Sequence, residues 1–460
     1  MRTFRGDVFP ISSHAFFEFL ALFPYLTYTG SFFAFYLNRV FWTVVHNKVY
    51  DITSYIPHHP GGEIVKFCAG RDGTDLMESY HPTVGQKKAL VTLRKYYIGE
   101  LKDAPEEPDN SFFLAVRERC DARLQEIGWG RHFFEFISVT EVFATIALYL
   151  YGSFAVAYQG SYFWALMVGL LTARLGFFMH MGNHRAMSSN KYINVVIEKV
   201  MDLIGGSSKI WTHEHAVAHH LTPNQLWTDN DCSIAYPWLR FHPGLPWKWY
   251  HPIQAPFTVL AITIGTAKWY ISDVIDHLKG HVGSQSFFVT SYDWTILLGF
   301  KALYFLLHIY LPAVNQGWQF ALTAACIVFA VSSHYLENVF IVNHIQDNLV
   351  PDDSLHWSAK QVIGSADWSV GSHFWNWWSG GLNHQIVHHL FPSVSHWCYP
   401  ILAPIVKDAC KEFNLPYIEY SNFAVAYKNM FMYLHKLGKA PGNPEHLSHT
   451  KVHKRKSLAN

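Results

Sequence analysis

His180-Met-Gly-Asn-His184, His215-Ala-Val-Ala-His219-His220 and Gln385-Ile-Val-His388-His389 are the stretches that decide the reading of this chain. Each lies beside a long apolar run, which points to a nitrogen-rich metal site held at a membrane surface. Among 29 histidines one HxxxH arises readily by chance. Three clusters in this order, each flanking a hydrophobic hairpin, do not.

Residues four apart share a helix face about one turn from each other, so His180 and His184 point two imidazoles at one site. Gln385, His388 and His389 repeat that geometry. In the middle cluster His215 and His219 share a face, and His220 is rotated from its neighbour by roughly 100° if the segment is helical. Adjacent histidines can therefore serve two different ions. Imidazole suits Fe, Cu, Zn and Ni alike, so ligand type does not choose the metal. Seven clustered histidines without a Cys or carboxylate cluster favour a two-metal site over a single structural zinc. His213, His334, His373, His384 and His396 are read as ordinary capped or surface residues.

Composition agrees with a membrane protein: of 460 residues 50% are hydrophobic, 17% aromatic and 15% charged. A net charge of +1, with no basic patch interleaved with stacking aromatics, argues against nucleic acid as a partner. Cys68, Cys120, Cys232, Cys326, Cys398 and Cys410 lack CxxC spacing and read as free thiols in a reducing compartment. That excludes a disulfide framework and an iron–sulfur site.

A helix needs roughly 20 residues to cross hydrocarbon. Residues 136–157 and 162–178 form one apolar hairpin, and 294–313 and 318–342 a second. Both are joined by uncharged turns, while Arg174 at the inner end of the first hairpin and Arg185, Lys191, Lys199, Lys209, Arg240 and Lys248 beyond it collect on the side between them. The positive-inside rule makes that intervening face cytosolic. All three histidine clusters share it if 256–271, short and carrying Lys268, is an interfacial or re-entrant helix. Glu141, Arg174, Lys301, His308, His334 and Glu337 lie within the spans and are expected to face the bundle interior or snorkel.

The amino-terminal third carries separate chemistry. Phe41-Trp-Thr-Val-Val-His-Asn-Lys-Val-Tyr-Asp-Ile-Thr53 alternates like two strands with a turn at Asn47, and His59-Pro-Gly-Gly62 follows. Then come Phe67-Cys-Ala-Gly-Arg-Asp-Gly-Thr-Asp75, Ser79-Tyr-His-Pro82 and Tyr97-Ile-Gly99, before an acidic linker from Asp103 to Asn110. This order resembles a cytochrome b5 domain, and the resemblance implies a haem b clamped by His59 and His81. The HPGG register favours His59 over its neighbour His58. Two axial imidazoles leave no open position, so such a haem carries electrons and does not activate oxygen.

With both halves in view the chain resembles a front-end fatty acyl desaturase, over approximately residues 41–437. The most specific element is Gly380-Gly-Leu-Asn-His-Gln385-Ile-Val-His-His-Leu-Phe-Pro392, where the family carries Gln in place of the first histidine of the third cluster. Trp211, Leu239-Arg-Phe-His-Pro243 and Asn343-His344 match as well. The resemblance, not the spacing, selects iron. It implies two non-haem irons held by His180, His184, His215, His219, His220, His344, His388 and His389, with Gln385 a weak ligand or an outer partner. O2 is then the co-substrate, and NADH supplies electrons through a separate cytochrome b5 reductase, in keeping with the lack of a dinucleotide fingerprint after a predicted strand. An unactivated methylene C–H has no useful acidity, so a metal-based oxidant must remove its hydrogen.

The expected fold is a small α+β haem domain followed by an all-α polytopic di-iron domain with about four transmembrane helices in two hairpins. The expected boundaries are an aromatic extension at 1–40, the haem domain at 41–101, a linker with an amphipathic helix at 102–134, the desaturase domain at 135–437 and a basic tail at 438–460. Resemblance places the chain in the endoplasmic reticulum membrane with its catalytic side cytosolic. The bilayer, a fatty acyl-CoA or acyl-lipid and the reductase are the implied partners. The HxxxHH form of the middle cluster resembles delta-5 and then delta-4 enzymes acting on polyunsaturated chains. The rivals are a sphingolipid long-chain-base desaturase, a fatty-acid 2-hydroxylase without the Gln-containing cluster, and a membrane haem electron carrier whose second half is only a scaffold.

Overall fold

Trp42-Thr-Val-Val45 and Lys48-Val-Tyr-Asp51, rich in β-branched and aromatic residues, fold as antiparallel strands β1 (Trp42–Val45) and β2 (Lys48–Asp51). Val45 pairs with Lys48, which makes His46-Asn47 a two-residue turn. Both take positive φ, 48° and 60°, the twist that closes such a hairpin. Strand β3 (Tyr97–Glu100) pairs with the other edge of β2. Val45, Tyr50, Ile52 and Met77 form a small core beneath this sheet, and Met77 comes from helix α1 (Thr74–Tyr80). The structure, a computed structural model, describes residues 40–439 apart from 82–84, 103, 129, 348, 350 and 353. The aromatic extension up to residue 39 and the basic tail from 440 lie outside the described residues.

After the linker, helix α2 (Ser111–Ile127) buries Phe113, Val116, Cys120 and Leu124 along one stripe. Among the described residues four helices are then long and apolar enough to cross a membrane: α3 (His132–Gln159), α4 (Tyr162–Asn183) and, further on, Ser291–Gln316 and Trp318–Ile341. The shortest has 22 residues, about 33 Å at the helical rise and enough for the hydrocarbon core. Between the pairs lie α5 (Gln254–Ile262) and α6 (Gly265–Lys279), broken at Thr263-Ile264. Neither reaches the length of a span, and Leu260, Ile264 and Ile271 are exposed along them. The second pair is α7 (Ser291–Gln316) and α8 (Trp318–Ile341).

The hairpin tips meet. Gln316 donates to the carbonyls of Ala157 (3.3 Å) and Tyr158 (3.1 Å), so both turns lie at one end of the bundle. The opposite end carries His180 and His184 from α4 and His344 just beyond α8. Helix α4 runs past the apolar stretch expected at 162–178, because its backbone hydrogen bonds continue to Asn183. His180 is therefore set on a rigid helical turn. The buried cations Arg174 and Lys301 in the spans are paired, as burial demands. Arg174 bonds Glu141 at 2.7 Å and the carbonyl of Trp377. Lys301 reaches Asp273 (2.9 Å) and the carbonyls of Gly205 and Trp269. His308 bonds Tyr149 (2.7 Å), His334 bonds Thr263 (3.0 Å), and Glu337 packs on Gly265.

Three further helices complete the histidine-bearing end: α9 (Trp357–Ile363), α10 (Gln385–Leu390) and α11 (Tyr399–Glu412). Trp357, Val387, Leu390, Leu402 and Val406 join Phe113 and Leu124 of α2 in one apolar cluster. The linker helix thus packs on the histidine-bearing end from outside.

Candidate metal centre and haem cleft

A cleft opens between the small sheet, α1 and the histidine-bearing end of the bundle, with mostly apolar walls. His59 and His81 face each other across it with ring centroids 6.1 Å apart. Two imidazoles on opposite sides of one ion, each nitrogen about 2 Å from it, put their centroids about 6 Å apart, so the residues fit a haem clamped between them. Nδ1 of His59 donates to the carbonyl of Gly62 (3.2 Å) and Nδ1 of His81 to that of Met77 (2.8 Å). Each Nε2 is left as a lone pair, the form a metal takes. Burial foremost, and then the neighbouring His81, pulls His59 down to about 4, and burial lowers His81 as well. The glycines have a role here: a Cβ on Gly61 would sit 2.9 Å from the His59 ring, and Gly62 has φ +76°.

At the membrane end the histidines form two groups. The ligand-capable atoms of His180, His184, His215, His220 and His388 lie within 4.8 Å of one another, and so do those of His219, His344 and His389. The partition corrects one expectation: His215 shares its group with His220, not with His219. The segment Thr212–His219 is a π-helix, in which the His220 N–H reaches back to the carbonyl of His215. Residues five apart then stack on one face, and His219 turns to the other group. Gln385, expected to face one site with both His388 and His389, lies with the group that holds His389 and not with that of His388. Its amide donates to Nε2 of His344 (2.9 Å) and accepts from Asn343 (3.1 Å), beside the three-histidine group. His213, His334, His373, His384 and His396 lie outside both groups.

The outer partners orient the rings. Nδ1 of His219 donates to the buried Asp229 (3.1 Å), that of His344 to the carbonyl of Gly364 (2.9 Å) and that of His389 to Gln361 (2.7 Å). Nδ1 of His388 meets the Tyr399 hydroxyl at 3.1 Å. In His344 and His389, whose partners are carbonyl oxygens, the proton sits on Nδ1 and only a lone pair remains at Nε2. The Nε2 atoms nevertheless converge: His180 and His215 at 2.8 Å, His220 and His215 at 3.2 Å, His388 and His220 at 3.1 Å, His219 and His344 at 3.2 Å. Nε2 of His184 and of His389 is buried with no protein partner. Each group thus holds a buried imidazole nitrogen that no protein donor satisfies, amid converging ring nitrogens, so both groups fit metal ions.

Burial first, then neighbouring histidines, holds His215, His220, His388 and His389 well below the ordinary range, in the neutral form that ligates. His219 is the exception. Burial would lower it, but the carboxylates of Asp229 and Asp231 outweigh burial and push it up to about 9. Asp229, Gln361, Tyr399 and the carbonyl of Gly364 were not read from the sequence. The acidic pair Asp229 and Asp231, ten residues or so beyond His219, is the one local signal that could have drawn notice. Asn224, just after the middle cluster, bonds the carbonyls of His344 (3.0 Å), Leu349 (2.8 Å) and Gly364 (3.0 Å) and so ties the three-histidine group together.

Comparison with known proteins agrees with this geometry. A family model described as fatty acid desaturase matches residues 128–421, and one described as cytochrome b5-like heme/steroid binding domain matches residues 36–102. An acyl-lipid (8-3)-desaturase of Physcomitrium patens is 32% identical over 430 residues, covering 86% of this chain and 88% of its own length. An acyl-lipid (7-3)-desaturase of Chlamydomonas reinhardtii, described as chloroplastic, is 32% identical over 86% of this chain and 80% of its own length. A Delta(5) fatty acid desaturase A of Dictyostelium discoideum is 30% identical, covering 87% and 91%. The chain therefore belongs to the fatty acid desaturase family, as an oxidoreductase of its front-end kind with a cytochrome b5-like domain fused ahead of the membrane domain.

Proposed function

We propose that this protein inserts a cis double bond between an existing double bond and the carboxyl end of a polyunsaturated acyl chain, at the delta-5 position of twenty-carbon substrates in the first place and delta-4 in the second. NADH is the electron source, through a separate cytochrome b5 reductase docking on the haem domain. The haem is held by His59 and His81. One iron belongs to His180, His184, His215, His220 and His388, and the other to His219, His344 and His389, with Gln385 beside it. The observation that carries this reading is the convergence of eight buried histidines in two groups, with the Nδ1 atoms of the three-histidine group bonded outward and one Nε2 in each group left without a protein partner.

Bound there, the irons supply the O2-dependent oxidation that removes two hydrogens from adjacent acyl carbons. The chain's own residues do the rest. Asp229, Gly364 and Gln361, which only accept there, keep a proton on the Nδ1 of three rings, and Tyr399 holds the His388 ring in orientation. Burial of both groups keeps bulk water from the reacting carbons. The apolar ends of the spans beneath the site receive the acyl chain. The lysines and arginines between the hairpins, on the histidine-bearing side, support a cytosolic catalytic face in the endoplasmic reticulum membrane. A haem carrier with an inert second half has no use for two such histidine groups.

Expression in yeast fed separate fatty acids, with gas chromatography of the products, tests the proposal. A new double bond at the delta-5 position of twenty-carbon chains is expected. New bonds confined to sphingoid bases, or on the methyl side of existing bonds, contradict it.

A further inference from the structure

Helix α1 (Thr74–Tyr80) ends one residue before His81, and its last side chain passes from the haem cleft to the metal centre. The Tyr80 hydroxyl lies 3.1 Å from Nδ1 of His184 and 3.2 Å from the carbonyl of Ala216, the residue after His215. A carbonyl only accepts, so the hydroxyl proton goes to Ala216 and the Nδ1–H of His184 donates to the hydroxyl oxygen. That tautomer turns Nε2 of His184, which is buried without a protein partner, toward the five-histidine group as a lone pair. The two rings are near parallel, 28° apart with centroids at 6.1 Å. The same helix end is anchored elsewhere: Trp357 donates to Glu78 (2.6 Å), His356 lies 3.2 Å from Glu78, and Ser393 donates to the carbonyl of Tyr80 (3.4 Å).

Resting on the desaturase reading above, we propose that Tyr80 is a positioning residue that wires the haem to the five-histidine group. It fixes the tautomer of His184. It also gives an electron leaving the haem through His81 a route of one peptide unit, one side chain and one hydrogen bond to a metal ligand. In each transfer one ferrous haem is oxidised to ferric and one ferric non-haem ion is reduced to ferrous. No bond of Tyr80 forms or breaks and no proton leaves it. The electron therefore enters the five-histidine group before the three-histidine group, and the haem domain contributes the outer partner of a metal ligand in another domain.

The test uses the full-length chain in nanodiscs, loaded with haem and iron and kept anaerobic. A deazaflavin flash reduces the haem, and its reoxidation by the ferric non-haem centre is followed in the visible band. Tyr80→Phe removes only the oxygen, and is expected, with iron loaded in excess, to keep the haem absorbance and iron content while slowing reoxidation about 10–100-fold, the size of effect on activity that losing a ligand's outer partner has. Its non-haem Mössbauer spectrum should change although the residue lies in the haem domain. Glu78→Gln, which perturbs the same helix end without touching His184, should leave that spectrum as in the wild type. A wild-type rate and spectrum in Tyr80→Phe, loss of its haem or iron, or the same spectral change in Glu78→Gln each overturn the proposal. His388→Ala separates the two readings, because a non-haem spectrum left intact there refutes the metal centre itself.

Discussion

His388 and His389 are neighbours in the chain and opposites in space. His388 directs Nε2 at His220 (3.1 Å), while His389 stacks against His220 by its face and belongs with His219 and His344. Removing either imidazole takes a donor from one group and leaves the haem cleft untouched. His388→Ala is thus expected to abolish product formation with the low-spin haem absorbance intact, and His59→Ala or His81→Ala to remove that absorbance. Normal turnover in His388→Ala, or an unchanged haem spectrum in His81→Ala, would refute the corresponding assignment. Gln385 bonds His344 and not His388. Gln385→Ala should be close to inactive in the same assay, and Gln385→His should lose activity if the weaker amide donor tunes the three-histidine site. Full activity in the alanine variant means the amide has no role.

The helices carry these residues with little slack. Gly169 on α4 faces α8: a Cβ there would lie 2.7 Å from Val331 and 3.1 Å from the carbonyl of Val328. Gly169→Ala is therefore expected to cost about 1–3 kcal/mol through overpacking, seen as a lower midpoint of thermal unfolding in detergent. An unchanged midpoint would show that the two helices can separate freely. The spans themselves were legible in the sequence, since the apolar runs marked all four to within a few residues. The π-helix was not, because reading histidine spacing assumes 3.6 residues per turn and nothing in Thr212-His-Glu-His215 announces a wider one. The short break at Thr263-Ile264 likewise comes with contacts between distant segments, Thr263 to His334 and Thr266 to Ser333.

At the scale of the whole molecule, α1 of the haem domain touches both the haem cleft and the membrane domain, and the π-helix bearing His215, His219 and His220 lines the cleft with Ala216 and Val217. The two cofactor sites thus share walls. Sequence patterning exposed the histidines because their spacing is local, and the HPGG turn because its glycines are. The partners that orient them come from 10 to 104 residues away, as Asp229 does for His219 and Tyr80 for His184. Single polar residues at such separations carry no periodic signal. His344 was reached through family resemblance alone, since one histidine after a span has no spacing to read. The most direct measurement is the metal content of the purified full-length chain, with total iron by mass spectrometry and haem by its pyridine haemochrome. About two non-haem irons per haem are expected, falling together with product formation in His388→Ala. Iron equal to haem, with none left over, would contradict a two-metal centre built from these histidines.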